Sequence, residues 1–397
     1  MHFTAVFATL AVLLTTPIVL AAPGASLMSV ETFSGETTGK HIVKFRAGVS
    51  RSARRQWIRR LKLAANTEDW DLINGIAGNL NEEALNTLRA SEDVEYITED
   101  GIVHTMAAVT QSNAPWGLQR ISQAGILSNT NAAALTYSYT YDSSAGSGVD
   151  IYIAGTGVLV THSQFGGRAR WGGTFGTTGS TDGHGHGTHC AGTAAGSQYG
   201  VAKNASIIAV KVLSDAGSGS IAGIVSGLDW IRGQAAASGR PTVVSMSLGG
   251  GANTALDNAV ANLVSAGIHV TVAAGNDNRD AANTSPARTP SAITVGASNI
   301  LDQKASFSNF GPIVDVFAPG QAVISSWIGA SNAATNSISG TSMATPHVAG
   351  LVAYLISKEG NAAPAVIEAR IKALSVKGVI TGLNAATANN LAQIGPV

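Results

Sequence analysis

The run Gly340-Thr341-Ser342-Met343-Ala344-Thr345-Pro346-His347, continued by Val348-Ala349-Gly350-Leu351-Val352-Ala353-Tyr354-Leu355, constrains this chain more than any other stretch. It reads as a tight loop entering a helix, with Pro346 in the first turn, where a missing N–H costs nothing. Beyond it, small or apolar residues cover every face, and a helix without a polar stripe has to be wrapped by a large core. Ser342 then stands at the positive end of a buried helix, where amide N–H groups and the dipole favour negative charge. It is either a helix cap or a nucleophile, and the rest of the chain has to decide between them.

A chain of 397 residues can enclose that helix and carry a smaller domain besides. Charged residues are only 12% and balance to zero, which argues against nucleic acid or another polyanionic partner. The 46 glycines suit close helix–sheet packing, since 45% of residues are apolar and disorder is therefore excluded. The run from Phe3 to Leu20 has no acidic residue and ends in Ala21 and Ala22, which reads as a secretory signal peptide over 1–22 with a weak positive end. No later apolar run reaches about 18 residues, so no membrane span is expected and the protein is expected outside the cell. A lone cysteine, Cys190, excludes an intramolecular disulfide.

Residues 23–38 read as a flexible lead-in. From Lys40 to Glu99 the pattern is strand, helix, two strands, helix, strand: His41–Phe45 alternates, Ser50 to Leu63 is a basic helix, Trp70 to Ile76 supplies strands, Asn81 caps a second helix and Val94–Glu99 alternates again. That is a small ferredoxin-like α+β unit. Residues 100–114 read as a linker. Beyond Trp116, short β-branched runs at 149–154, 205–213, 242–247, 269–274 and 292–295 alternate with helical stretches at 219–236 and 255–266. The fold class is therefore α/β, a mostly parallel sheet with helices on both faces, in which chemistry gathers at the C-terminal strand ends.

Those ends carry Gly155-Thr156-Gly157, Asp182-Gly183-His184-Gly185-His186-Gly187-Thr188-His189-Cys190-Ala191-Gly192-Thr193, Ser247-Leu248-Gly249 and Ala273-Ala274-Gly275-Asn276. Three histidines near Asp182 suggest a metal, but the glycines between them offer no rigid element to make ligands converge. They suit a loop that approaches other backbone closely. Gly155-Thr156-Gly157 mimics a dinucleotide fingerprint whose third glycine is replaced by Val160. Cys190 reads as a small buried residue.

His186–Thr193, Ala273–Asn276 and Gly340–His347 resemble the signature motifs of the subtilisin-like serine proteases, and of the fungal proteinase K group in particular. Residues 113–118 resemble that group's mature N-terminus and residues 40–99 its inhibitory propeptide. The resemblance implies a signal over 1–22, a propeptide over 23–108 ending near Ala107 or Ala108, and a peptidase domain over 109–397. It implies that Ser342 attacks the peptide carbonyl while His186 moves the proton, and that Asn276 with the Ser342 N–H holds the oxyanion. Gly217-Ser218-Gly219 and Ser247-Leu248-Gly249 would flank an extended polypeptide substrate by backbone pairing, which explains broad specificity. Ala273, Ala274 and Gly275 would line a roomy apolar pocket for the residue before the cut. No catalytic cofactor is implied; a structural calcium held by the Pro290 and Ala292 carbonyls and the Asp315 carboxylate is. The expected partners are polypeptide substrates and the chain's own propeptide, with no nucleic acid or membrane, and a monomer is expected. Asn204 and Asn283 head glycosylation sequons.

One residue departs from the family. Its catalytic acid precedes the Thr-Gly after the first strand, and here that place is Gly155. Asp150 lies five residues upstream, roughly 16 Å along a strand, too far to substitute. Measured within this family, loss of the acid costs roughly 3 × 10⁴ in turnover, about 6 kcal/mol. The sequence thus leaves a slow endopeptidase and a peptide-binding pseudoprotease as the two readings.

Overall fold

The computed structural model describes residues 27–33, 37–64, 67–103 and 108–397. The expected signal peptide and Ala107 lie outside these. The chain divides into two compact units that meet in sequence at Asp100 and Gly101.

The first unit holds β1 (Val30–Glu31), β2 (Thr37–Phe45), α1 (Arg51–Arg60), β3 (Glu68–Trp70), β4 (Gly75–Gly78), α2 (Glu82–Arg89) and β5 (Val94–Gly101). Its sheet runs β1-β5-β2-β4-β3, the ferredoxin-like order with one short strand added at the edge. The Ser50 hydroxyl and the Asn81 side chain accept from Ala53 N and Ala84 N, so both helices begin where polar caps satisfy their first amides. Val43, Phe45, Ile76, Leu88, Val94 and Ile97 fill the small core. The lead-in contributes structure after all, because Val30 and Glu31 pair in parallel with Ile97 and Thr98.

The second unit contains β6 (Ala108–Ala114), α3 (Trp116–Arg120), β7 (Tyr137–Asp142), β8 (Asp150–Gly155), β9 (Ala169–Thr174), α4 (His186–Ala195), β10 (Ser206–Lys211), α5 (Ile221–Ser238), β11 (Thr242–Met246), β12 (Gly250–Gly251), α6 (Thr254–Ser265), β13 (His269–Ala273), β14 (Thr284–Ser285), β15 (Ile293–Ser298), β16 (Val316–Pro319), β17 (Val323–Ser326), β18 (Thr335–Ile338), α7 (Thr341–Glu359), α8 (Pro364–Leu374), β19 (Val376–Lys377) and β20 (Asn390–Leu391). The nine-stranded sheet runs β19-β20-β16-β15-β13-β11-β8-β10-β9, parallel throughout except at β19–β20. Both faces are covered. Ile151, Ile153, Ile207 and Ala209 point into a core shared with α4 and α7, and Tyr152, Ala154, Ile208 and Val210 point into a second core under α5 and α6. Period-two alternation thus feeds two hydrophobic layers, which is why these strands are apolar on both sides. The expected linker is half strand: β6 pairs antiparallel with β7. Ala-Val-Thr-Gln-Ser-Asn-Ala carries no alternation, so its conformation comes from its partner. Among the described residues no helix is long and apolar enough to cross a membrane.

The buried helix begins earlier than its sequence suggests. It starts at Thr341, so Pro346 falls inside it rather than in the first turn. A proline there removes the amide that would bond the carbonyl of Ser342, four residues back. That orphaned carbonyl accepts from the Ser247 hydroxyl at 2.7 Å and the Cys190 thiol at 3.5 Å. The helix break is therefore satisfied by the two elements that flank the site.

Arg120, fully buried at the end of α3, forks onto Asp302 at 2.7 and 3.0 Å, and Gln393 closes over it by donating to the Arg120 carbonyl at 3.0 Å. Removing one charge of a buried pair strands the other. Asp302 sits at φ +54°, which asparagine tolerates, so Asp302→Asn isolates the charge. It is expected to cost about 3 kcal/mol, read as a fall of roughly 6–12 °C in Tm by circular dichroism.

Candidate active site

Of residues 341–356 in α7, Ser342 alone is not buried. The cap position belongs to Gly340, which leaves Ser342 one residue inside the helix with its side chain directed outward. The cap reading of this serine is therefore replaced. The Ser342 hydroxyl donates to the Ser247 carbonyl at a long 3.4 Å. Its N–H has no acceptor among the described residues, as the geometry of a helix start requires.

His186 is the first residue of α4, and a buried carboxylate positions it. Asp182 accepts from Gly185 N at 2.9 Å, His184 N at 3.1 Å, Thr188 N at 2.9 Å, the Thr188 hydroxyl at 2.6 Å and the Thr156 hydroxyl at 2.9 Å. Five donors satisfy it, so Asp182 holds the loop. Gly187 permits the close approach of this helix to β8, since a Cβ there would lie 2.0 Å from the Gly157 carbonyl. Cys190, one turn along α4, stands 3.9 Å from His186 Nδ1 and bonds the Ser342 carbonyl, which puts the histidine and the serine on either side of one thiol. Burial pushes that thiol up to about 12, so it is neutral packing rather than a nucleophile.

Burial, and then the neighbouring His184, push His186 down to about 4; Asp182 opposes them only partly. Its place at a helix N-terminus works in the same direction. The imidazole is neutral at pH 7 and carries little support for a positive charge. At the end of β8 stands Gly155, which brings no carboxylate to the site. A Cβ built there meets nothing within 4 Å, while its carbonyl is fixed by Val212 N at 2.9 Å and Leu213 N at 3.0 Å. Asp150 is occupied at the far end of the strand, paired with Arg240 at 3.0 Å and Arg170 at 3.3 Å. His162 is also structural: it caps a short turn and bonds the Ala334 carbonyl at 2.9 Å.

Asn276 is exposed after β13, and its side-chain oxygen accepts from Thr341 N at 2.8 Å and the Thr341 hydroxyl at 3.0 Å. That anchors the oxygen and leaves Nδ2 available beside the free Ser342 N–H. Asn309 steadies the same loop, accepting from Asp277 N and Arg279 N and donating to the Ala274 carbonyl. Two cavities lie along the site, one lined by His186 and the other by Ser342. One of 430 Å³ is lined by His186, Gly217, Ser218, Gly219 and the 247–249 segment; one of 270 Å³ is lined by Leu248, Gly249, Ala273, Gly275, Asn276 and Ser342. Ala274 does not line either, because alternation along the extended chain turns it into the core with Ala281 and Phe317. Asn309 lies outside every motif quoted from the sequence, and Thr156, Asp182 and Thr341 lie within those runs without a role assigned to them there. Asn276→Ala is expected to lower kcat roughly 10²–10³-fold with little change in KM, the cost measured in subtilisin for the loss of one oxyanion donor. Chromogenic peptide kinetics check it, most sensitively with an aspartate at position 155.

Of the donor set expected for calcium, the Asp315 carboxylate is already engaged. Asp315 Oδ2 accepts from Thr294 N at 2.8 Å and Oδ1 pairs with Lys372 Nζ at 2.6 Å. A cation is already paired with this carboxylate, so it does not fit calcium as it stands. Asn204 and Asn283 are both exposed, although the Asn204 amide donates to the Ser143 carbonyl at 2.9 Å.

A partly accessible serine at the start of a buried helix, a neutral histidine at the start of another and two free amide donors define a serine hydrolase built on an open parallel sheet. The sequence matches the subtilase family over residues 146–390 and the peptidase inhibitor I9 family over residues 40–106, and the chain belongs to the subtilase family. It is 46% identical to a cuticle-degrading protease of Metarhizium anisopliae, covering 90% of this chain and 89% of that protein. It is 49% identical to the alkaline serine protease ver112 of Corniculantispora psalliotae, covering 82% of each. The crystal structure of a cold-adapted subtilisin-like serine proteinase superposes with a TM-score of 0.64 at 42% identity, covering 72% of this chain and all of that one. The protein is thus a subtilisin-like serine protease preceded by an inhibitor-type propeptide domain.

Proposed function

We propose that this protein is a secreted endopeptidase of broad specificity, made as a proenzyme, whose turnover is limited by the glycine at position 155. Residues 1–22 direct export, 23–108 form the self-inhibiting propeptide and 109–397 the peptidase. The observation that carries the reading is Ser342: one residue of a buried helix left accessible, with its own N–H and the Asn276 amide both unengaged. Ser342 attacks the peptide carbonyl, His186 takes the proton and returns it to the leaving amine, and the two N–H donors hold the oxyanion. Gly217–Gly219 and Ser247–Gly249 grip the substrate backbone, and Ala273 with Gly275 leaves space for a large apolar side chain before the cut.

Gly155 supports a second reading, a peptide-binding pseudoprotease. A fluorophosphonate probe separates the two. Labelling at Ser342, together with hydrolysis of a peptide with an aromatic residue before the cut, is expected; an unlabelled protein that still binds peptides would establish the pseudoprotease.

A further inference from the structure

Calcium binding at Asp315 would require oxygen ligands with no competing cation. The helix α8 supplies a competitor. Lys372 and Glu368 lie one turn apart on it, and the Lys372 ammonium sits 2.6 Å from both Glu368 Oε1 and Asp315 Oδ1. The Asp315 side chain is only 15% exposed, and its second oxygen is taken by the Thr294 amide at 2.8 Å. Burial works against the charged lysine, but the hydrogen bonds it donates to Asp315 and Glu368 outweigh it and hold Lys372 above its usual range. A divalent ion on the same carboxylate would lie within a few ångströms of a full positive charge.

We infer that Lys372 is the permanent counter-ion of Asp315, so that the chain's own ammonium fills a role given to calcium in similar enzymes and the fold needs no divalent ion there. The geometry has a consequence: α8 is tied by an ion pair, through its lysine, to the residue before β16, and the tie cannot be removed by chelation. Exchange of a dissociable ion for a side chain also removes the dependence of stability on free calcium concentration.

The test uses the full chain carrying Ser342→Ala, which prevents self-digestion, melted in excess EDTA and in millimolar calcium chloride. The parent is expected to melt alike in both, apart from any calcium effect that Asp315→Asn leaves intact. Lys372→Met is expected to melt a few degrees lower in EDTA and to recover roughly 5–10 °C in calcium at a hundredfold excess over Kd. Adding Asp315→Asn should abolish that recovery. The inference is overturned if calcium raises the parent's Tm by an amount that Asp315→Asn removes, or if Lys372→Met melts like the parent in EDTA. Should Lys372→Met not accumulate folded, calorimetric titration of the parent decides: calcium heat that vanishes in Asp315→Asn refutes the inference, and its absence supports it.

Discussion

Gly155→Asp is expected to raise kcat roughly 10⁴-fold with little change in KM, the reverse of the loss of about 3 × 10⁴ measured in subtilisin when its acid is removed. The substitution meets no steric obstacle, since a Cβ at 155 touches nothing within 4 Å and the backbone there does not require glycine. The two residues that follow β10, Val212 and Leu213, hold the carbonyl in place, so the new carboxylate begins from a fixed position. It would fix the imidazole tautomer and stabilise the imidazolium that forms as the proton leaves Ser342. The pH profile distinguishes this from a merely structural gain. With His186 pushed down to about 4, the natural protein is expected to keep a neutral but weak base to low pH, with an acid limb near that value. An aspartate favours the protonated ring, so the limb must move to higher pH as the rate rises. Equal rates and unmoved profiles in peptide hydrolysis would refute the assignment of position 155.

Ser342→Ala has the second largest effect, and its size depends on position 155. In a subtilase with all three catalytic groups, loss of the serine costs about 2 × 10⁶, and catalytic losses are far from additive. Starting from Gly155, only about two orders of magnitude remain to be lost. Starting from Gly155→Asp, the fall should be about 10⁶. Processing supplies an independent readout: Gly155→Asp is expected to be recovered without residues 23–108, and Gly155→Asp with Ser342→Ala as the intact proprotein by mass spectrometry. Unchanged hydrolysis in Ser342→Ala would remove the nucleophile from the scheme.

The central strands, α5, α6 and the buried helix were legible because their signals are local. Runs such as Ile207–Val210 feed two cores by simple alternation, and Asn81 and Ser50 cap helices through bonds three residues long. β6 was hidden, since its hydrogen bonds come from β7 and not from its own side chains. Pro346 misled for a related reason: proline suits a first turn, but here the helix runs through it because Ser247 and Cys190 satisfy the carbonyl it orphans.

For the proposed active site, the sequence by itself named the candidate groups Ser342, His186 and Asn276 and the glycine at 155 where an acid is expected, because chemical identity is written residue by residue. The tertiary structure alone decided that Thr341 holds the Asn276 oxygen and frees its amide, that Asp182 is consumed by five loop donors, and that Lys372 meets Asp315. The Thr341–Asn276, Thr156–Asp182 and Lys372–Asp315 contacts join segments whose spacing along the chain carries no signal, and a hydrogen bond or ion pair exists only once both partners have been brought within about 3 Å.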